Sequence, residues 1–110
     1  MSGMTRGVGA VVLGLALHVS SAEVSAQGAG LAERGRQLFT EHGCHGCHTV
    51  GKMGTPIALD LSRIGARYGQ PQLEAWLRDP VKQRPTAHMP TIRLSPSEVT
   101  AFAAYLASLR

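Results

Sequence analysis

The chain has 110 residues, eleven Lys and Arg against seven Asp and Glu, and two cysteines, for a formal net charge of +4. That length admits one small domain rather than several. The positive charge is dispersed and almost all arginine, with Lys52 and Lys82 the two lysines, so no basic run suits nucleic acid. The N-terminal stretch reads as a secretory signal peptide over residues 1–26. Arg6 supplies the positive start, Gly7 to Val19 the apolar segment, and Val24-Ser25-Ala26 the small-residue cleavage site before Gln27. The competing reading, a membrane anchor, needs roughly 20 apolar residues, and this stretch is shorter and contains His18. The reading therefore expects a soluble, exported domain over 27–110, with no stable membrane insertion after cleavage. That leaves 110 less 26, or 84 residues, with ten Lys and Arg against six Asp and Glu, so the charge stays at +4. Domains of this size commonly need a staple such as a disulfide, a metal or another bound group.

Leu31 to His42 carries a helical pattern, with Leu31, Gly35, Leu38 and Phe39 recurring at three- and four-residue steps and Gly43 as the stop. A glycine inside a helix costs about 1 kcal/mol relative to alanine, so Gly35 predicts the close approach of another backbone. Cys44-His45-Gly46-Cys47-His48 follows at once. A disulfide between cysteines two residues apart would close a loop too short to stabilise much. A thioredoxin-like dithiol needs an α/β sheet, and the chain has almost no alternating β-branched run. Zinc needs four ligands, and there is no second cysteine pair. C-x-x-C-H is the pattern of c-type haem attachment: both thiols add to the vinyl groups on one porphyrin edge, and the adjacent imidazole is carried to the iron.

Farther along, Gly51 to Pro56 reads as a loop, Leu59 to Arg67 as a short helix ending at Tyr68-Gly69, and Pro71 to Arg78 as a helix stopped by Asp79-Pro80. Pro80 to Pro85 is a turn-rich connector into Met89-Pro90. Met89 is the candidate second iron ligand, 41 residues (89 less 48) beyond His48. Met53 lies five residues from His48, at most roughly 17 Å of extended chain, which is too little slack to ligate. His88 is the chemical rival and would give bis-histidine ligation, whereas a thioether raises the reduction potential. Ser95-Pro96-Ser97-Glu98 combines an N-cap, a proline at the first helical position and a capping-box glutamate, starting a helix to about Leu109. Its apolar stripe is Val99, Phe102, Ala103, Leu106 and Leu109, with Tyr105 at the flank. No strand pattern is sustained, and the fold class expected is all-α with the terminal helices crossing at Gly35.

Together these residues resemble the class I monohaem cytochromes c, especially the short bacterial periplasmic kind. The likeness is carried by Gly35, Phe39, the C-x-x-C-H motif, Pro56, Leu61, Arg67, Trp76, Met89-Pro90 and Tyr105-Leu106. It implies a small cytochrome c fold with three to five helices around one haem c, attached through Cys44 and Cys47 and ligated by His48 and Met89. It also implies that the Pro56 carbonyl accepts from Nδ1–H of His48, and that Trp76, Tyr68 and Arg67 line the haem or contact its propionates. The sequence departs from the usual glycine-proline start of that loop, having Gly54-Thr55-Pro56. The function implied is periplasmic electron transfer by a protein that is not an enzyme, between a donor cytochrome or dehydrogenase and an acceptor oxidase or reductase. The alternative is a haem c subunit permanently bound to a periplasmic oxidoreductase. Arg34, Arg36, Lys52, Lys82 and Arg84 are candidates for steering a partner.

Overall fold

The structure, a computed structural model, describes residues 2–4, 7–18 and 20–110. Arg6, the expected positive start, and Val19, the last residue of the expected apolar stretch, lie outside the described residues. Residues 7–18 carry no regular secondary structure, and Val8, Val11, Leu13, Leu15 and Leu17 are exposed. Among the described residues no helix is long and apolar enough to cross a membrane.

Helix α1 spans Ser21–Glu41. It starts ten residues before the apolar pattern does, because Ser20 and Glu23 form a capping box: the Ser20 hydroxyl accepts from the Glu23 N–H at 3.4 Å, and the Glu23 carboxylate accepts from the Ser20 N–H at 3.0 Å. The helix thus runs through the expected cleavage point at Ala26. At the other end the His42 N–H bonds the Leu38 carbonyl, and Gly43, at φ +68°, turns the chain out of the helix.

A single 3₁₀ turn, Cys44–Gly46, leads into a two-residue antiparallel pair that the sequence reading did not contain, β1 (Thr49–Val50) with β2 (Met53–Gly54), in register Thr49 to Gly54 and Val50 to Met53. The helix expected over Leu59 to Arg67 shrinks to one 3₁₀ turn, Ile64–Ala66. Local side-chain bonding competes there. The Asp60 carboxylate accepts from both the N–H and the hydroxyl of Ser62, and the Leu61 N–H reaches across to the Thr49 carbonyl.

Helix α2, Gln70–Arg78, is followed by a one-turn helix α3, Pro80–Gln83, capped by the Asp79 carboxylate on the Lys82 N–H at 3.1 Å. Helix α4, Pro96–Ser108, opens on the expected Ser95–Glu98 capping box. Among the described residues, four α-helices with one very short hairpin give the all-α class.

Helices α1 and α4 pack face to face at Gly35, which is buried. A Cβ there would run into the Ala101 carbonyl and come within 2.6 Å of the Tyr105 Cβ, so only a glycine lets the two backbones touch. A second such approach escaped the sequence reading: Gly65 lies against the Ala107 carbonyl and donates its own N–H to the Leu109 carbonyl at 2.7 Å. Around these contacts Leu38, Phe39, Ile64, Leu73, Leu77, Ala101, Phe102, Ala103 and Leu106 form one core. Val99, Phe102, Ala103 and Leu106 of the expected α4 stripe are buried and Leu109 is half-buried.

Candidate cofactor site

The core has two faces. One packs inward between helices, and on the other Phe39, Ile64, Leu73, Leu77, Phe102 and Leu106 become the wall of a cavity of about 970 Å³. That volume is at the upper end of the range for small-molecule and cofactor pockets. Cys44, Cys47, His48, Met89, Tyr68 and Trp76 line the same cavity, so the fold gathers residues 44 to 89 of the chain onto one space.

The motif is shaped by backbone bonds. The N–H groups of Cys47 and His48 both bond the Cys44 carbonyl, at 3.2 and 3.0 Å, which coils the five residues tightly enough for both thiols and the imidazole to line one cavity. The loop beyond is laced to the motif by Thr55 N–H to the His45 carbonyl at 2.9 Å, Ala58 N–H to the Cys47 carbonyl at 2.7 Å, and Leu61 N–H to the Thr49 carbonyl at 2.8 Å. Between the last two anchors the carbonyl of Leu59 comes within 2.7 Å of Nδ1 of His48. The residue that fixes this imidazole is therefore Leu59 and not Pro56. The loop has to travel three residues past Pro56 before its second tie to the motif brings a carbonyl to the ring, and Pro56 itself is exposed and does not line the cavity. With Nδ1–H donating to Leu59, the unprotonated Nε2 is the nitrogen left to donate to a metal.

Both cysteines are free thiols. Burial pushes the Cys44 thiol up to about 11, so it holds little thiolate at neutral pH, the reverse of the low-pKa cysteine of a redox dithiol. Among the described residues no three His, Cys, Asp or Glu side chains converge on a metal position, which leaves a tetrahedral zinc site without its donors. The donor set matches an apolar macrocycle instead: two thiols at its attachment edge, one oriented imidazole, one thioether, and a hydrophobic wall. Ile57, Leu59 and Tyr68 present further exposed side chains to the cavity that such a ring would cover.

Met89 and Trp76 are half-buried, and the Trp76 indole N–H donates to the Met89 sulfur at 3.2 Å. His88 also lines the cavity but is exposed. Tyr68 lines it, while Arg67 does not: after the Ile64–Ala66 turn its side chain is exposed and its guanidinium lies 5.9 Å from the centre of the Tyr68 ring. Arg84 takes the place expected of Arg67 as a permanent positive charge on the lining. Its position in the connector leading into Met89 was the signal that could have found it. His45, inside the motif, turns from the cavity and sets its ring edge-on to Phe39 at 4.7 Å, with Nδ1 buried and unpartnered.

Comparison with known proteins agrees with this geometry. The Cytochrome c family model matches residues 32–110. The chain is also 37% identical over 99 residues to a protein of Alkalihalophilus pseudofirmus named cytochrome c oxidase subunit 2, an alignment that takes in 82% of this chain and 29% of that one. The chain thus spans less than a third of the length of that relative.

Proposed function

Because this chain belongs to the cytochrome c family, whose members transfer electrons through covalently bound haem c, we propose that it is a periplasmic carrier with one haem, ligated by His48 and Met89, that moves electrons between redox proteins. The observation that carries this reading is the convergence of Cys44, Cys47, His48 and Met89 on one cavity walled by the core. When bound, haem c supplies a one-electron store that needs no bond to substrate.

The chain's own residues do the rest. Cys44 and Cys47 hold the group permanently through thioethers, so it is not lost between encounters. His48 gives Nε2 while Leu59 fixes its ring and tautomer. Met89 gives a thioether, which favours the reduced state and a higher potential than a second imidazole would. With His48 and Met89 both holding the group, no open position would be left for substrate, which supports a carrier over an enzyme. Phe39, Leu73, Leu77 and Phe102 wall the cavity and would keep water from the group it holds, and the low polarity there would work against the more highly charged oxidised state.

The second reading, a haem subunit held in an oxidoreductase complex, is favoured by the name of the oxidase relative. Native gel filtration of extracts from the source organism, followed by haem staining, separates the two. A carrier elutes at the size of the single chain, and a subunit elutes with a much larger complex.

A further inference from the structure

A second cavity, of about 440 Å³, adjoins the first where the end of α2, the segment 91–95 and the start of α4 meet. Its floor is apolar, made by the buried Leu77 and Val99 and the half-buried Ile92 and Leu94. Its rim is polar, with Arg78, Thr91 and Arg93 exposed. The lining therefore holds two guanidinium groups and no carboxylate. Glu74 reaches Arg78 at 3.5 Å from outside the lining, and among the described residues Arg93 has no ion pair or hydrogen bond. The Ser95 N–H at the head of α4 already donates to the Glu98 carboxylate at 2.9 Å, so the positive charge of the pocket is that of the two arginines. Like charges around one pocket repel, and each planar fork is shaped to hold a carboxylate by two parallel bonds.

We propose that this pocket binds a small organic carboxylate with a short apolar tail, its head between Arg78 and Arg93 and its tail on the floor. An inorganic anion would leave the floor uncovered, and a neutral apolar molecule would cover the arginines without giving them a partner. Glu74 already offsets part of the Arg78 charge, so a monoanion balances the pocket better than a dianion. The volume lies low in the range for small-molecule pockets, which suits a short-chain acid and is too small for a two-tailed lipid. Leu77 and Ile92 line both cavities, so the bound charge stands one layer of side chains from the haem of the carrier reading. A negative charge there favours the more positive oxidised form. By linkage the oxidised protein binds the acid more tightly, and the acid lowers the reduction potential. This coupling rests on the haem reading above, and the pocket itself does not.

In the isotope-labelled holoprotein, titration with hexanoate should shift the amide resonances of residues 77–78 and 91–95 and saturate at a single site. Acetate, which lacks the tail, and hexanol, which lacks the head, should each bind at least about tenfold more weakly, since one forgoes several buried methylenes and the other the charged hydrogen bonds. Arg93→Gln should weaken hexanoate about tenfold, the loss of one charge-assisted hydrogen bond. Arg63→Gln, which removes an exposed charge outside the lining, should leave the affinity unchanged. The oxidised protein should bind hexanoate about fivefold more tightly than the reduced protein, the low end for coupled sites, and the potential should fall as hexanoate saturates. Absence of localised shifts, equal binding of acetate, or an equal loss in Arg63→Gln overturns the pocket. Equal affinity in the two redox states overturns the coupling. Intact mass of the same sample counts the haem, so a chain without haem, which overturns the carrier reading, is distinguishable from a failure to bind.

Discussion

The carbonyl oxygen of Leu59 stands 2.7 Å from Nδ1 of His48, and it is a main-chain atom whose position depends on where the loop is tied rather than on the leucine side chain. Pro56→Ala is therefore expected to leave the visible spectrum and the reduction potential of the holoprotein unchanged, because Thr55 and Ala58 anchor the loop on either side of it. A clear drop in potential on this substitution would place Pro56, and not Leu59, on the imidazole.

Gly35→Leu should destabilise the fold by about 1–3 kcal/mol or more, since the new side chain meets the Ala101 main chain of α4 and neither backbone can yield cheaply. Gly65→Ala should destabilise as well, against the main-chain carbonyls of Ala107 and Leu106. Chemical denaturation checks both. A rise in midpoint, of the size that better helix propensity gives an exposed glycine, about 0.5–1 kcal/mol, would mean that the helices do not meet at Gly35.

Met89→Ala should open the sixth coordination position, lower the potential and let carbon monoxide bind readily. His88→Ala should leave the low-spin spectrum intact. Optical titration with carbon monoxide decides the matter, and a reversed pattern would assign the ligand to His88.

Glu98 is held below the ordinary carboxylate range, first by the Ser95 backbone N–H and then by its hydroxyl. Because the folded-state pKa is the depressed one, the cap's contribution is complete above the unfolded carboxylate pKa and disappears as pH falls through the lowered value. The difference in thermal midpoint between the parent and Glu98→Ala should thus be widest near neutral pH and close in acid. A difference that does not vary with pH would remove the carboxylate from the cap.

Arg34 pairs with Glu41 at 3.3 Å and Arg36 with Glu33 at 2.6 Å on the exposed face of α1, which offsets their charge locally. Of the five candidates, Lys52, Lys82 and Arg84 are then the ones expected to steer an acidic redox partner. The Debye length shortens from about 30 Å at 0.01 M to about 8 Å at 0.15 M salt, so the bimolecular rate of electron transfer should fall steeply across that range in stopped flow. A flat salt profile would point to an apolar contact or a permanent complex.

Features set by local chemistry were legible in the sequence. The five-residue motif, the Ser95–Glu98 cap and the α4 stripe need only neighbours within a turn or two, and Gly35 was legible because an unfavourable residue inside a strong helical pattern demands a packing reason. The features missed depend on non-local ties. Which carbonyl meets His48 is decided by three backbone bonds between separate segments, and β1 and β2 are too short to show any alternation. The helix expected after Leu59 lost its start to the Asp60–Ser62 bonds, and a motif of three residues gives no hint of that competition. Arg67 and Arg84 are alike as residues, and the one sequence hint to which of them faces the cavity is the place of Arg84 in the connector leading into Met89.

Phe39, Ile64, Leu73, Leu77, Phe102 and Leu106 belong at once to the core and to the cavity wall. Such side chains answer to two demands with one shape. Any change that repacks the helices also reshapes the cavity, and any change that retunes the cavity disturbs the helices. Stability and redox potential in this fold therefore cannot drift apart through single substitutions on that wall. Lineages that shift one while keeping the other should do so through compensating pairs among these six positions, or through residues such as Tyr68 and Arg84 that line the cavity without belonging to the core.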